Sequence, residues 1–177
     1  MKKKMIVVIG GVTSGVGKGV IAASIAHLLI ENGYHTTMIK FDGLLNIDFE
    51  QMNPYHEIQE MPWSDEEVTV LDDGSVVDSD IGVYERFTGI PMSFCNNIIN
   101  GACWRELIEL QEKQYWKTGT VIAIHPHLTD IYAAKIKLAI ENYEYCVAEI
   151  GGTIGDYESE HFIRTLVNLC DDLDLFV

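Results

Sequence analysis

The stretch MIVVIGGVTSGVGKGVIAASIAHLLIENG, from Met5 to Gly33, decides the fold. It begins with the apolar run Met5–Ile9, passes through a glycine-rich turn and continues as an apolar segment of helical length. Short β-branched runs that end in glycine are typical of buried parallel strands. The next segment, HTTMIKFD at His35–Asp42, has the pattern of a second strand. Together they predict a right-handed strand–helix–strand unit.

The helix of this unit has a clear apolar pattern. Ile21, Ile25, Leu28 and Leu29 fall on one helical face, which we expect to be its apolar side. Gly33 stands where the residue just after a helix end adopts a left-handed conformation, so the helix is predicted to end there.

The glycine-rich turn looks like a phosphate-binding loop but departs twice from GxxxxGK followed by Ser or Thr. Its first glycine is Gly11 instead of residue 12, and Gly19 follows Lys18 where a hydroxyl normally helps to hold magnesium. Backbone amides at a helix N-terminus still attract an anion, and Lys18 supplies a positive charge. The missing hydroxyl indicates that acidic residues elsewhere hold the metal. The alternative is a plain strand-to-helix turn with a surface lysine.

The rest of the chain alternates between strand and helix patterns after one irregular excursion. That excursion, residues 42–87, contains a predicted hairpin at Glu66–Asp78 with its turn at Asp73–Gly74. The later segments are a helix at Cys103–Trp116, a strand at Gly119–His125, a helix at Thr129–Tyr143 with Thr129 as N-cap, a strand at Glu144–Gly152, a helix at Glu158–Cys170 and a strand at Asp172–Val177. This order predicts one α/β domain, a mostly parallel sheet with helices on both faces.

Composition narrows the class of partner. Apolar residues make up 47% of the 177 residues, which is a globular composition, and the net charge is −15. Such a surface repels nucleic acid and anionic membranes. The four cysteines form no CxxC pair, and no apolar run is long enough to span a bilayer. We therefore expect a cytoplasmic protein with neither nucleic acid nor membrane as partner.

Acidic residues stand where predicted strands end. Lys40 and Asp42 end the second strand, and Glu149 closes EYCVAEI directly before two glycines. Ligands of such sheets bind beyond the carboxyl ends of the strands. A buried glutamate there needs a cationic partner, and magnesium on nucleotide phosphates is the simplest one. Asp78 and Asp80, in DSDIG, are further candidates that spacing alone does not separate.

Other chemistries have weaker support. His125 and His127 flank Pro126 without a third ligand at a zinc-site spacing, and His56 stands far away in the sequence. The chain has no Gly-x-Ser-x-Gly elbow, and its cysteines lack the local context of a nucleophile.

Two further stretches, DIGVYERF and EIGGTIGDYES, are more specific signals than the phosphate loop. They belong to a series of five segments: Gly10–Ser24, Lys40–Asp48, Val70–Gly89, Thr120–Asp130 and Glu149–Ser159. In this order the segments resemble one family, the N-terminal amidoligase (synthetase) domain of CTP synthase. The resemblance spans residues 5 to about 170 and implies a P-loop-type fold similar to that of dethiobiotin synthetase.

The resemblance implies a reaction. The family's domain binds ATP and UTP, transfers the γ-phosphate to the uracil 4-oxygen, and lets ammonia displace phosphate to give CTP. Positions that match the family's motifs then acquire roles. Lys40 would lie near the transferring phosphoryl group, and Asp80 and Glu149 would hold Mg²⁺. ATP would be bound by Ser14, Gly15, Val16, Gly17, Lys18 and Gly19 together with Asp80, and the pyrimidine nucleotide by Ser14, Asp156, Tyr157 and Glu158.

The chain also departs from the family. DGL at Asp42–Leu44 replaces DPY, and the insertion EIQEMPWSDEEVTV occupies Glu57–Val70. Because the sequence stops before the family's lysine-rich UTP segment and glutaminase domain, we expect a single, C-terminally truncated domain over residues 1–177. It would use free ammonia or ammonia from a separate glutaminase. Because the family assembles through this domain, the resemblance also implies a homo-oligomer. Two alternatives stay open: a kinase or ligase with another acceptor, and a non-catalytic nucleotide-binding regulatory protein.

Overall fold

A computed structural model describes residues 2–11, 17–49 and 68–177 of the chain. Its centre is a five-stranded parallel sheet, and two further strands form a separate antiparallel hairpin. The predicted α/β fold with a mostly parallel sheet is confirmed. The strands are β1 (Lys3–Ile9), β2 (Thr36–Asp42), β3 (Val68–Val70), β4 (Val76–Asp78), β5 (Asn97–Ile99), β6 (Tyr145–Ile150) and β7 (Leu173–Phe176). Their order in the sheet is β5-β2-β6-β1-β7, and β3 pairs with β4 in the hairpin.

Helices cover both faces of this sheet. The helices are α1 (Lys18–Glu31), α2 (Ser79–Thr88), α3 (Asn100–Glu112), α4 (Thr129–Ala139) and α5 (Glu160–Asn168). One buried cluster joins α1 and α2 to Met38 and Val147 of the sheet. The other joins α3, α4 and α5 to Phe41 and Ala148. Alternate residues of each strand therefore face opposite helical layers.

Helix α1 packs on the sheet through alanines. Ala22, Ala23 and Ala26 are its buried residues, whereas Ile21 and Leu28 are exposed. The expected face of larger side chains is thus wrong in part, because small alanines let the helix lie close to the strands. Gly33 does follow the helix end with φ of 82°, as predicted.

The irregular excursion contains more structure than the sequence indicated. The hairpin is confirmed, with Gly74 in its turn at φ 84°. Helix α2 was not predicted. It begins after Asp78, whose side chain accepts a hydrogen bond from the backbone amide of Asp80 at 2.7 Å.

Two predictions are wrong, one for the segment that precedes α4 and one for the residue that caps this helix. The run Gly119–His125 contains no strand, and Val121 is 83% exposed, because this apolar run has no neighbouring strand to pair with. Thr129 is not an N-cap, since it already has helical dihedrals and its hydroxyl donates to the Pro126 carbonyl at 2.9 Å. Among the described residues, no helix has the length and apolarity needed to cross a membrane.

Candidate active site

Strand pairing brings Lys40 and Glu149 together. β2 and β6 are neighbours, and their register places Lys40 beside Glu149. Met38 and Val147, two residues earlier on each strand, face the α1–α2 layer, so Lys40 and Glu149 face the same layer. Both are buried near the carboxyl end of the sheet, with 5% and 3% of their surface exposed.

Helix α2 adds Asp80 to this pair. The Lys40 ammonium contacts Asp80 Oδ2 and lies 3.4 Å from Glu149 Oε1. The Tyr84 hydroxyl, one turn further along α2, donates to Glu149 Oε2. Asp80 and Glu149, which are far apart in the sequence, therefore meet at the Lys40 ammonium. These three residues are called the active-site cluster below.

The carboxylates around Lys40 keep its side chain protonated. Burial lowers its pKa, but the nearby carboxylates, led by Asp78 and Glu149, raise the pKa by more. The net direction is upward, so the lysine stays protonated over the physiological range.

The active-site cluster faces the position where the phosphate loop departs from the standard pattern. A Cβ added to Gly19 would lie 3.2 Å from Glu149 Oε2 and 3.4 Å from Asp80 Oδ1. The space that a side chain would fill thus opens onto two carboxylates at the start of α1. Magnesium in nucleotide sites takes one or two carboxylates together with phosphate oxygens and water. The described residues hold no group of three or more His, Cys, Asp or Glu suited to a metal, and the pair fits this two-carboxylate arrangement.

Asp78 and Asp42 form a second acidic pair beside the cluster. Asn97 of β5 donates to Asp42 Oδ2 at 3.4 Å, and it accepts from the Asp78 amide at 3.2 Å. The Asp42 and Asp78 side chains also hydrogen-bond each other. Burial and the charge of Asp78 raise the pKa of Asp42 to about 7, although Lys40 and Asn97 lower it. Asp78 thus also caps α2 and pairs with Asp42, whereas Asp80 makes the direct contact with the Lys40 ammonium.

Asp42→Asn is expected to flatten the pH dependence of stability. The folded protein holds a proton on Asp42 up to about pH 7, whereas an unfolded aspartate loses it near pH ~3.9. Stability therefore falls as pH rises between these values, by at most about 4 kcal/mol for three pH units. Urea unfolding at pH 5 and pH 8.5 covers about two of these three units, so the measured loss is at most about 3 kcal/mol. Equal losses in wild type and Asp42→Asn would contradict the assignment.

Lys18 lies at the mouth of the phosphate loop. Its ammonium donates to the Gly152 carbonyl at 2.8 Å, in the loop after β6. A Cβ on Gly10, directly after β1, would come within 2.8 Å of the same ammonium, so the lysine side chain passes close to the backbone there. Gly17 precedes it at φ 82°, a left-handed conformation that favours glycine. The predicted ATP-binding residues Ser14, Gly15 and Val16 lie outside the described residues.

The loop after β6 borders a cavity of about 390 Å³ at the carboxyl end of the sheet. Asp156 and Glu158 line it, facing Asp42 and the Leu44–Leu45 segment. Asp156 accepts from the Thr153 hydroxyl at 2.9 Å, and hydrogen bonds from Thr153 lower its pKa.

Tyr157 stands apart from that cavity. It is 79% exposed and is not among the lining residues, so the structure brings together two of the four predicted contacts, Asp156 and Glu158. The fourth, Ser14, lies outside the described residues. A cavity of about 880 Å³ at the amino end of the sheet, lined by Lys2, Lys3 and Lys137 among others, is remote from this chemistry.

The histidines take part in local contacts. His125 Nδ1 lies 3.0 Å from the Thr129 hydroxyl oxygen, and His127 Nδ1 accepts from the Ala123 amide at 3.2 Å. His56 lies outside the described residues.

Sequence reasoning missed Tyr84 and Gly101. Tyr84 sits in DIGVYERF, and only its place one turn after Asp80 could have signalled a shared site. A Cβ on Gly101 would lie 2.3 Å from the backbone oxygens of Leu45 and Asn46. This glycine therefore lets α3 pack directly against the segment after β2 that lines the cavity.

Comparison with known proteins agrees with the resemblance. A family described as CTP synthase N-terminus matches residues 4–175. The CTP synthase of Natronomonas pharaonis is 41% identical over 174 residues, which cover 98% of this chain and 30% of that protein. Those of Pyrococcus abyssi and Thermococcus kodakarensis are 43% and 42% identical over 161 residues, covering 91% of this chain and 28% of each relative. The chain thus spans about 30% of the length of these curated relatives. Since the match extends over nearly all of its residues, the chain belongs to the CTP synthase N-terminus family.

Proposed function

We propose that the chain is an ATP- and Mg²⁺-dependent amidoligase of the CTP synthase type. Its reaction would phosphorylate UTP at O4 and let ammonia replace the phosphate. The observation that carries the proposal is the convergence of Asp80 and Glu149 on Lys40, opposite Gly19 at the start of the phosphate-loop helix. Family membership supports the same chemistry, because the relatives are CTP synthases.

The chain's own residues divide the work of phosphoryl transfer. Lys18 and the amides around Gly17–Gly19 bind the ATP phosphates at the N-terminus of α1. Asp80 and Glu149 hold the divalent ion, and Lys40 neutralises charge on the transferring group. Bound magnesium would supply further positive charge to the phosphate oxygens. Such catalysis depends on positioning and charge neutralisation, and a preformed cluster of buried charges provides both.

Phosphorylation turns the uracil 4-oxygen into a leaving group, which allows ammonia to replace it. The uracil 4-oxygen attacks the γ-phosphorus, the N3 proton is lost and ADP departs, which leaves a phosphorylated O4. Ammonia then adds at C4, a proton is lost from the added nitrogen, and phosphate leaves with the original oxygen. The exocyclic 4-oxygen leaves poorly until it carries this phosphate. Free ammonia, or ammonia from a separate glutaminase, would serve, and we propose that the chain acts as a single domain within a homo-oligomer.

The cavity beside the cluster suits the pyrimidine nucleotide. Asp156 and Glu158 line it together with Gly152, whose carbonyl accepts from the Lys18 ammonium. Carboxylates accept hydrogen bonds from ribose hydroxyls, as acidic residues do in other nucleotide sites. Ser14 and Tyr157 complete the proposed contacts.

A second candidate keeps the same ATP chemistry with another acceptor. Leu44 and Leu45 line the cavity and are 41% and 69% exposed. Apolar side chains at the mouth of an acceptor pocket favour a less anionic acceptor than UTP.

Turnover assays decide between these functions. Purified protein is mixed with ATP, Mg²⁺, UTP and ammonium chloride, and CTP and ADP are quantified by chromatography. CTP formed in step with ADP supports the proposal. ADP formed only with another acceptor supports the second candidate. ATP binding without any turnover at high ammonia would overturn both enzymatic proposals in favour of a regulatory nucleotide-binding protein.

Gly19→Ala is expected to weaken metal binding without lowering the stability of the fold. The new Cβ would crowd the two carboxylates at 3.2 and 3.4 Å, so the Mg²⁺ concentration for half-maximal ATP binding should rise about 10-fold. Alanine in a helix is favoured over glycine by up to about 1 kcal/mol, so stability should not fall. Calorimetry and urea unfolding measure the two effects. Ser24→Ala, further along α1, is the control, and the same Mg²⁺ dependence in both variants would refute the crowding.

A further inference from the structure

Tyr84 is a buried polar group that the reaction outlined above does not use. It lies on α2 with none of its surface exposed. Its ring packs in the cluster that joins α1 and α2 to Met38 and Val147. Its hydroxyl donates to Glu149 Oε2, across 65 residues of sequence. A buried tyrosine hydroxyl needs such a partner, and here the partner is a proposed metal ligand.

The hydrogen bond gives the two oxygens of Glu149 different neighbours. Oε2 accepts from Tyr84, and Oε1 lies 3.4 Å from the Lys40 ammonium. A carboxylate held at both oxygens has a fixed plane, whereas one held at a single oxygen can rotate about its terminal torsion. Glu149 is 3% exposed, so water cannot replace the tyrosine donor easily.

Asp80, the other proposed metal ligand, is positioned by α2 itself and not by the Tyr84 hydroxyl. It follows its own helix cap, where its amide donates to Asp78 at 2.7 Å, and α2 fixes its backbone. Tyr84 lies on this same helix, so α2 supplies one ligand and orients the other. A shift of α2 would therefore move both sides of the metal site together.

We infer that Tyr84 is a positioning residue for the divalent-cation site, acting through the Glu149 carboxylate. This inference rests on the proposed function, because it assigns Glu149 to the metal. Hydrogen-bond partners of metal ligands set ligand orientation, and their loss typically lowers metal affinity about 10- to 100-fold. A purely structural role would instead be met by the aromatic ring, which phenylalanine keeps.

The test compares Tyr84→Phe with Tyr132→Phe. Tyr132 is also fully buried, and its hydroxyl donates to Asn100 on the opposite face of the sheet, so it is a matched control. The Mg²⁺ concentration for half-maximal ATP binding is measured by calorimetry in wild type and both variants. ATP affinity in EDTA and urea unfolding are measured beside it.

Tyr84→Phe should raise the Mg²⁺ requirement about 10-fold or more, with ATP affinity in EDTA unchanged because the phosphate loop is intact. Tyr132→Phe should leave the Mg²⁺ requirement at the wild-type value. If Tyr84→Phe shifts it no more than the control does, the inference is wrong while the proposed function stands. If wild-type ATP binding shows no dependence on Mg²⁺, the proposed function fails, and the inference fails with it.

Discussion

Lys18→Ala is expected to lower ATP-dependent turnover by at least about 100-fold while leaving the fold intact. The lysine stands at the start of α1, where backbone amides and the helix N-terminus already favour an anion. Its ammonium contributes the only full charge that the described part of the phosphate loop, Gly10–Gly11 and Gly17–Gly19, directs at a bound triphosphate. It donates to the Gly152 carbonyl, and this exposed bond contributes little to stability.

The measurement has two parts, ATP affinity by calorimetry and turnover by ADP release. Lys137→Ala is the matched control, because Lys137 makes one comparable contact, to Asp172 at 2.7 Å, at the opposite end of the sheet. Turnover of Lys18→Ala within threefold of this control would exclude Lys18 from the phosphate site. Urea unfolding should give similar free energies for both variants.

Four of the five strands of the sheet were predicted because they carry local signals, whereas the three-residue β5 was not predicted. Met5–Ile9 and residues 145–150 are apolar runs bounded by glycine or polar residues, and the structure places strands there. The order of the strands carries no such signal. Only the neighbouring positions of β2 and β6 make Lys40 and Glu149 partners, and 109 residues separate them in the sequence.

The unpredicted parts share one physical reason, which is that tertiary packing overrides local pattern. The exposed Ile21 and Leu28 gave α1 a misleading apolar face, whereas its alanines make the close contact with the sheet. The strand expected at Gly119–His125 is absent because an apolar run becomes a strand only when a neighbour offers hydrogen bonds. Helix α2 begins with acidic and polar residues, a weak local pattern, and is held by packing against α1.

The candidate site was predictable in its parts and not in its geometry. Lys18, Lys40, Asp80 and Glu149 were each named from their positions at strand ends or in motifs, but their roles remain proposals. Spacing could not choose between Asp78 and Asp80. The structure separates them through the hydrogen bonds of Asp78 to Asp42 and to the start of α2, which depend on the fold of the excursion.

Glu149→Gln is expected to reduce turnover by about 100- to 1000-fold, the effect of removing one strong electrostatic contact from a buried site. Glutamine keeps the shape of the side chain and can still accept from Tyr84, so the hydrogen bond to its oxygen survives. It removes the charge that Lys40 and a divalent ion would share. The remaining carboxylate, Asp80, has 39% of its side chain exposed and must then serve both cations.

The cause of this loss can be tested through its dependence on Mg²⁺. If Glu149 binds the ion, excess Mg²⁺ should restore ATP binding in Glu149→Gln in part. Turnover at saturating Mg²⁺ should stay low, because Asp80 alone must then balance both Lys40 and the ion. Glu85→Gln is the control, since Glu85 lies on α2 and accepts from the Met92 amide at 2.7 Å, away from Lys40. Full recovery of turnover by Mg²⁺ would show that Glu149 serves affinity alone. An unchanged Mg²⁺ requirement would remove it from the metal site, and Asp80 would then have to hold the ion without a second carboxylate.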